Sequence, residues 1–131
     1  MDNAVIAYYR KLSGSGFEHS GSLEEPSIFL KNFGDFSTSC HGGTDDFMNL
    51  YINVIDNIIS DIKYRCICDP TTNVAVEILC TLVKGKPLDE VADVTQQAFS
   101  EFIGSEDKDL EERGRELLEL LKGGIQQYKA A

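Results

Sequence analysis

Alternating hydrophobic and polar residues indicate β-structure in the centre of the chain. Three short runs of strand-forming residues lie at 36–41, 47–54 and 58–67. In the second run every other residue is apolar, namely Met48, Leu50, Ile52 and Val54, which is typical of a strand with one buried face. Ile55, Asp56 and Asn57 separate the last two runs, and Asp and Asn tolerate the positive φ that a tight hairpin turn requires. The pattern predicts an antiparallel meander.

Apolar residues at spacings of three and four predict helices on both sides of these strands. The predicted helices cover about 2–12, the stretch from Pro70 to a stop at Gly85, a short helix beginning at Pro87, and 106–129. Residues 98–103 continue the third helix or form another. Because most helices follow the strands, we predict an α+β domain in which a three-stranded antiparallel sheet packs against helices on one face.

Residues 13–24 are predicted to form a flexible loop within a single domain spanning 1–131. The segment is rich in Ser and Gly and offers little besides Phe17 to bury. His19 lies in this loop without a patterned partner, so we interpret it as a solvated histidine with no role.

Composition narrows the classes of partner. The chain has 12 basic and 22 acidic side chains, a net charge of −10, so its surface is expected to repel nucleic acid and anionic lipid. No apolar run approaches the roughly 20 residues needed to cross a bilayer, and the N-terminus lacks a basic segment before its apolar residues. We expect a cytoplasmic protein that binds neither nucleic acid nor membrane.

The four cysteines are expected to be free thiols or metal ligands, because nothing indicates secretion. Cys66 and Cys68 are two positions apart on a predicted strand, so both side chains leave the same face about 7 Å apart. This spacing suits shared metal ligation better than a disulfide, and the alternative is that both are small buried hydrophobes. Cys80 lies at the edge of an apolar helical stripe and is interpreted as a core residue.

A second group of metal-binding side chains precedes the central strand. Cys40 and His41 stand before two glycines, and Asp45 and Asp46 follow them. Glycine allows a close approach to a ligand, and these donors are typical of zinc or iron sites. The alternative is an ordinary polar turn before a strand.

Several segments resemble the NifU-like (IscU-type) family of iron–sulfur cluster assembly scaffolds. The strongest match is 82–91, Leu-Val-Lys-Gly-Lys-Pro-Leu-Asp-Glu-Val, and further matches occur at 5–9, 47–54, 58–61 and 121–129. The resemblance runs nearly end to end. It implies an opening helix, a three-stranded sheet and a helical C-terminal half.

The resemblance also implies a site for an iron–sulfur cluster or zinc, held in the family by three cysteines and an aspartate. Asp46 matches that aspartate. Cys40 lies four residues before the position of the first cysteine, and Cys68 lies one residue before that of the second. The implied cofactor ligands are therefore Cys40, Asp46 and Cys68, and Cys66 is a further candidate metal ligand.

The family's third cysteine falls on Arg113. This residue stands one step off the apolar stripe of the last predicted helix, so its guanidinium could pair with Asp46 or Asp69 and leave the pocket free of metal. The alternative is a solvent-facing arginine among acids.

Three functions follow as hypotheses. The first is a non-enzymatic scaffold or carrier that works with a cysteine desulfurase and recipient apoproteins. The second is a zinc-binding or sulfur-accepting accessory of a desulfurase, and the third is a metal-free binding module. The Leu-Pro-Pro-Val-Lys segment by which many family members engage a chaperone is absent, and 102–106 stand in its region, so we do not expect that partner. Motifs of hydrolases and kinases are also missing.

Overall fold

The computed structural model describes residues 3–32, 47–67 and 69–130. Its elements in chain order are α1 (Asn3–Ser15), β1 (Ile28–Asn32), β2 (Phe47–Ile55), β3 (Ile58–Ile67), α2 (Pro70–Val83), α3 (Leu88–Val91), α4 (Gln97–Ile103) and α5 (Lys108–Ala130). The strands form one antiparallel sheet in the order β1-β2-β3. The predicted α+β class is confirmed.

The hairpin between β2 and β3 has the predicted turn. Asp56 and Asn57 have φ values of 52° and 66°, and Ile55 pairs with Ile58 on either side of them. Two consecutive positive φ angles define the type I′ turn, whose twist matches that of the flanking strands. The turn residues therefore fix the register of the hairpin.

The first strand is not among those that the pattern predicted. β1 pairs with β2 through Leu30 opposite Leu50, whereas the predicted run at 36–41 lies outside the described residues. In β1 three apolar residues stand side by side and are followed by Lys31 and Asn32. Such a short run shows no alternation, so only its pairing with β2 identifies it as a strand.

Helices α2 and α5 pack against one face of the sheet and against each other. α2 contacts β3, and α5 contacts β1. In α5, Gly124 allows this approach, because a Cβ there would stand 2.7 Å from the Leu30 side chain. The buried core between these layers includes Met48, Leu50, Ile52, Ile62, Val74, Ile78, Leu79, Leu117 and Leu121.

The opposite face of the sheet is not covered by these helices. Phe29, Tyr51 and Lys63 form one row across the strands, and Lys31, Asn49 and Arg65 form the next. The rings of Phe29 and Tyr51 lie 5.1 Å apart, and the Lys31 ammonium stands 5.5 Å from the centre of the Phe29 ring. We call this surface the open face.

Most helix boundaries agree with the sequence. Gly85 follows the end of α2 with a φ of 87°, which confirms it as the stop signal. Pro87 has an extended backbone and is the N-cap of α3, so this helix begins at Leu88, one residue later than predicted. Residues 97–103 form a separate helix. The buried stripe of α5 ends at Ile125, and Tyr128 beyond it is 37% exposed.

The segment 13–24 differs from the predicted flexible loop. α1 continues through Ser15, and Ser20 forms a parallel bridge with Tyr64 of β3. The Tyr64 amide donates to the His19 carbonyl at 2.9 Å, and the Gly21 amide donates to the Tyr64 carbonyl at 2.8 Å. Residues 19–21, which we call the strap, therefore pair with the edge of β3 that β2 leaves free.

Two glycines of α5 offer a matched test of the packing. A Cβ on Gly114 would lie 2.7 Å from the ring of Phe99, which is fully buried, whereas a Cβ on Gly123 meets nothing within 4 Å. We expect Gly114→Ala to lower the free energy of unfolding by about 1–3 kcal/mol. Gly123→Ala should raise it by about 0.5–1 kcal/mol, because alanine is the better helix former. Urea denaturation measures both, and equal effects would contradict this packing.

Candidate functional site

One end of the sheet brings together the sequence neighbours of the predicted ligands. Phe47 pairs with Ile67, and Met48 pairs with both Cys66 and Asn32. We call this end the sheet tip. Asp46 directly precedes Phe47, and Cys68 directly follows Ile67. Cys40, Asp46 and Cys68 themselves lie outside the described residues, so their convergence stays a prediction.

Cys66 faces the helices from the sheet tip. It is half-buried against the core, on the same face of β3 as Ile62 and Tyr64. It is disulfide-bonded, whereas Cys80 is a free thiol. The sequence favoured a thiol or a ligand at this position. Since the thiolate is the form that binds metal, Cys66 becomes available as a ligand only after reduction.

Arg113 is buried, with only 3% of its surface exposed. Its Nη1 donates to Oε1 of Glu116 at 2.8 Å. The alternative of a solvent-facing arginine is therefore wrong. Burial of the guanidinium is possible because a carboxylate partner offsets the loss of its hydration. Pairing with Asp46 or Asp69 stays a prediction. A cation is thus buried where the resemblance places the third cysteine.

Cys80 is a core residue, as predicted. It is fully buried among the apolar side chains of α2 and makes no disulfide. Burial raises the pKa of its thiol well above the ordinary value, and the nearby charge of Glu77 raises it further. Because the thiolate is the reactive form, this cysteine is poorly suited to sulfur transfer.

A buried polar cluster joins the strap to α2. His19 is 3% exposed and Glu77 is 1% exposed. The Nδ1 atom of His19 hydrogen-bonds to Oε2 of Glu77. The His19 amide and the Tyr64 hydroxyl each donate to Oε1 of Glu77 at 3.2 Å, and the same hydroxyl lies 3.0 Å from Oδ1 of Asn73. We call these four residues the His19–Glu77 cluster.

The interpretation of His19 as a solvated loop residue was wrong. The strap pairs with β3, and this pairing carries the imidazole onto α2. One signal could have indicated the cluster: Glu77 stands between Val76 and Ile78 in a helix whose other central residues are apolar. A carboxylate on a buried helix needs donors from elsewhere in the fold.

The surroundings of Tyr64 keep its hydroxyl protonated, so that it can donate a hydrogen bond. Burial raises the pKa of its hydroxyl far above the ordinary value, and the charge of Glu77 and the hydrogen bond to it raise it further. The hydroxyl therefore stays protonated throughout the physiological range. Its proton is therefore available to Oε1 of Glu77 in that range.

The similarity of this chain to known proteins lies in its structure. No protein-family model and no curated protein matches the chain. Among solved structures, a nitrogen-fixing NifU-like protein (N-terminal) from Brucella abortus superposes with a TM-score of 0.63 at 14% identity, over 98% of this chain and 94% of that one. The chain has the NifU-like fold.

Two further structures agree with this fold. A proposed iron–sulfur cluster assembly scaffold protein for the SUF system from Fervidobacterium islandicum AW-1 gives a TM-score of 0.57 at 14% identity, over 98% of this chain and 86% of that one. A hypothetical protein gives 0.51 at 20% identity, over 92% and 83%. The resemblance inferred from the sequence is confirmed for the fold. Within residues 3–32, 47–67 and 69–130, no helix is long and apolar enough to cross a membrane.

Removing one hydroxyl from the His19–Glu77 cluster tests its contribution to this fold. We expect Tyr64→Phe to lower the free energy of unfolding by about 1.5–3 kcal/mol, because a buried carboxylate loses a donor. Tyr51→Phe is the matched control: its hydroxyl lies on the open face and accepts one long bond, 3.5 Å from Nδ2 of Asn49. Denaturant titration measures both, and similar losses would argue against a buried Glu77 carboxylate.

The raised pKa of Cys80 predicts a loss of stability at high pH. An unfolded thiol titrates near pH 8.5, whereas the folded one titrates higher, so above about pH 8.5 the unfolded state binds fewer protons. The free energy of unfolding should therefore fall as pH rises from about 8.5 to 10, by up to ~1.4 kcal/mol per pH unit. Denaturation of the wild type and of Cys80→Ala over this range measures the effect. Identical pH slopes would contradict it.

Proposed function

We propose that this protein is a scaffold on which an iron–sulfur cluster is assembled and then passed to recipient apoproteins. The observation that carries the proposal is the NifU-like fold, with Phe47 and Ile67 paired at the sheet tip. These two residues adjoin Asp46 and Cys68 in sequence. In this proposal Cys40, Asp46 and Cys68 bind the cluster, which is cargo, and the protein is a carrier rather than an enzyme.

The donor set suits iron. Thiolates bind iron and iron–sulfur clusters, and a carboxylate is an accepted ligand of ferrous iron. Sulfur would arrive as a persulfide from a cysteine desulfurase, and it must take up two electrons from an external reductant to become sulfide. In the reducing cytoplasm, where we place the protein, the Cys66 disulfide would open and supply a further thiolate near the sheet tip.

A second candidate is supported by one specific observation. Arg113 is buried where the resemblance places the third cysteine, and its positive charge would oppose a metal cation there. A metal-free relative that keeps the fold as a binding module is consistent with this. A zinc-binding or sulfur-accepting accessory of a desulfurase is a related candidate, because zinc accepts the same donors. The chaperone is expected to play no part in any of these functions.

Anaerobic reconstitution tests the scaffold. Reduced protein is incubated with ferrous iron, a cysteine desulfurase, cysteine and a reductant, and the visible absorbance of a bound cluster is recorded. We expect the wild type to acquire a cluster, and Cys40→Ser, Cys68→Ser and Asp46→Asn to lose most of it. Cys80→Ala is the matched control and should reconstitute fully, because Cys80 lies in the core.

The other outcomes separate the candidates. If the wild type acquires no cluster, the scaffold proposal is overturned. In that case, zinc in freshly purified protein that disappears with Cys40→Ser would favour the accessory. Absence of any metal, with partner binding unchanged in the cysteine variants, would favour the binding module.

A further inference from the structure

We propose that Glu18, His19 and Glu77 form a second metal site, which takes a divalent transition-metal ion such as Zn²⁺. One ligand atom from each residue lies within 4.8 Å of the other two. The site is independent of the cysteines. It lies where the strap meets the middle of α2, about 10 Å along that helix from its first residue, Pro70.

The distances leave room for an ion after small adjustments. Ligands at about 2.0–2.2 Å from one ion lie roughly 3–4 Å from each other. Glu77 and His19 are buried and already face each other through Oε2 and Nδ1. Glu18 is exposed, and its side chain is free to swing toward them. The two fixed ligands therefore form the base of the site and Glu18 closes it.

The surroundings of Glu77 favour one of its oxygens as the ligand. Oε1 receives hydrogen bonds from the His19 amide and the Tyr64 hydroxyl, which leaves Oε2 on the side of the imidazole. Partners that hold a metal-binding carboxylate in place are a usual part of such sites. The ion would take the place of the hydrogen bond between Nδ1 and Oε2, and the neutral imidazole would then carry its proton on Nε2.

A groove gives the ion access. It has a volume of about 480 Å³ and is lined by residues that include Tyr8, Lys11, Ser15, Phe17, Glu18 and Glu77. Water in this groove can complete the coordination, as at zinc sites that have three protein ligands. Two cations are near. Lys11 lines the groove, and Lys63 donates to the Glu18 carbonyl at 3.1 Å. Lys63 is thus already bound to the backbone, and two carboxylates face the ion.

The donor set defines the class of metal. One imidazole with two carboxylates binds Zn²⁺ and other divalent first-row ions, whereas Ca²⁺ and Mg²⁺ prefer oxygen alone. Bound metal would link the strap to α2 by bonds stronger than the present hydrogen bonds. We therefore expect it to stabilise the fold, since an ion that binds only the folded state raises the free energy of unfolding.

Cobalt titration tests the site, because Co²⁺ replaces Zn²⁺ and its visible spectrum reports the ligand type. The full chain carries Cys40→Ser, Cys66→Ser and Cys68→Ser, which remove the thiols of the sheet tip. We expect one equivalent of Co²⁺ to bind with ligand-field bands and without thiolate-to-cobalt charge transfer. Adding Glu18→Gln should weaken binding by about tenfold or more, since even partners outside the coordination sphere are worth 10- to 100-fold.

The control is Glu24→Gln, which makes the same charge change at an exposed position of the same segment and should leave binding unchanged. If the triple variant does not fold, the wild type serves instead, and Glu18→Gln should lower its Co²⁺ stoichiometry by one. Equal binding by the Glu18 and Glu24 variants would overturn the proposal, as would cobalt bound only through thiolate. Cluster reconstitution depends on the cysteines and not on Glu18, so the two proposals fail separately.

Discussion

Burial of helix α2 is the constraint on which the rest of the structure depends. From Val74 to Cys80 every residue is buried. The sheet covers one side of the helix through β3, α5 covers another, and α1 and α4 pack against what remains. Seven consecutive buried residues cannot all face a single neighbour, because successive positions turn by about 100° around a helix. The layers around α2 follow from this need for cover on several sides.

The same burial explains the strap. Glu77 is the one ionisable carboxylate in that buried stretch, and its desolvation has to be offset by donors. Tyr64 supplies a hydroxyl from β3, and His19 supplies both a backbone amide and a ring nitrogen. Pairing of the strap with β3 thus has two effects. It gives the Glu77 carboxylate hydrogen-bond donors, and it covers the free edge of the sheet. The polar cluster and the sheet support each other.

Local patterns made much of this fold predictable. The β2–β3 hairpin, α2 and α5 follow from periodicity and from turn residues such as Asp56 and Gly85, whose signals are contained within a few positions. Strand β1 and the buried position of His19 do not follow from such local patterns. Leu30 becomes part of a strand only through Leu50, and His19 meets a partner 58 positions away. Periodicity carries no information about such long-range contacts. The candidate ligands Cys40, Asp46 and Cys68 were inferred from resemblance, and they lie outside the described part of the chain.

The open face gives the molecule an electrical asymmetry. Lys31, Lys63 and Arg65 stand on this face and supply three of the chain's 12 basic side chains. On the helical side, Glu112 of α5 is half-exposed and Glu119 is exposed, but each is ion-paired with Arg115. The open face carries one acid beside its cations, Asp61, which lies opposite Asn53. A mainly basic face on a chain of net charge −10 would attract an acidic surface, and dissolved salt would weaken that attraction.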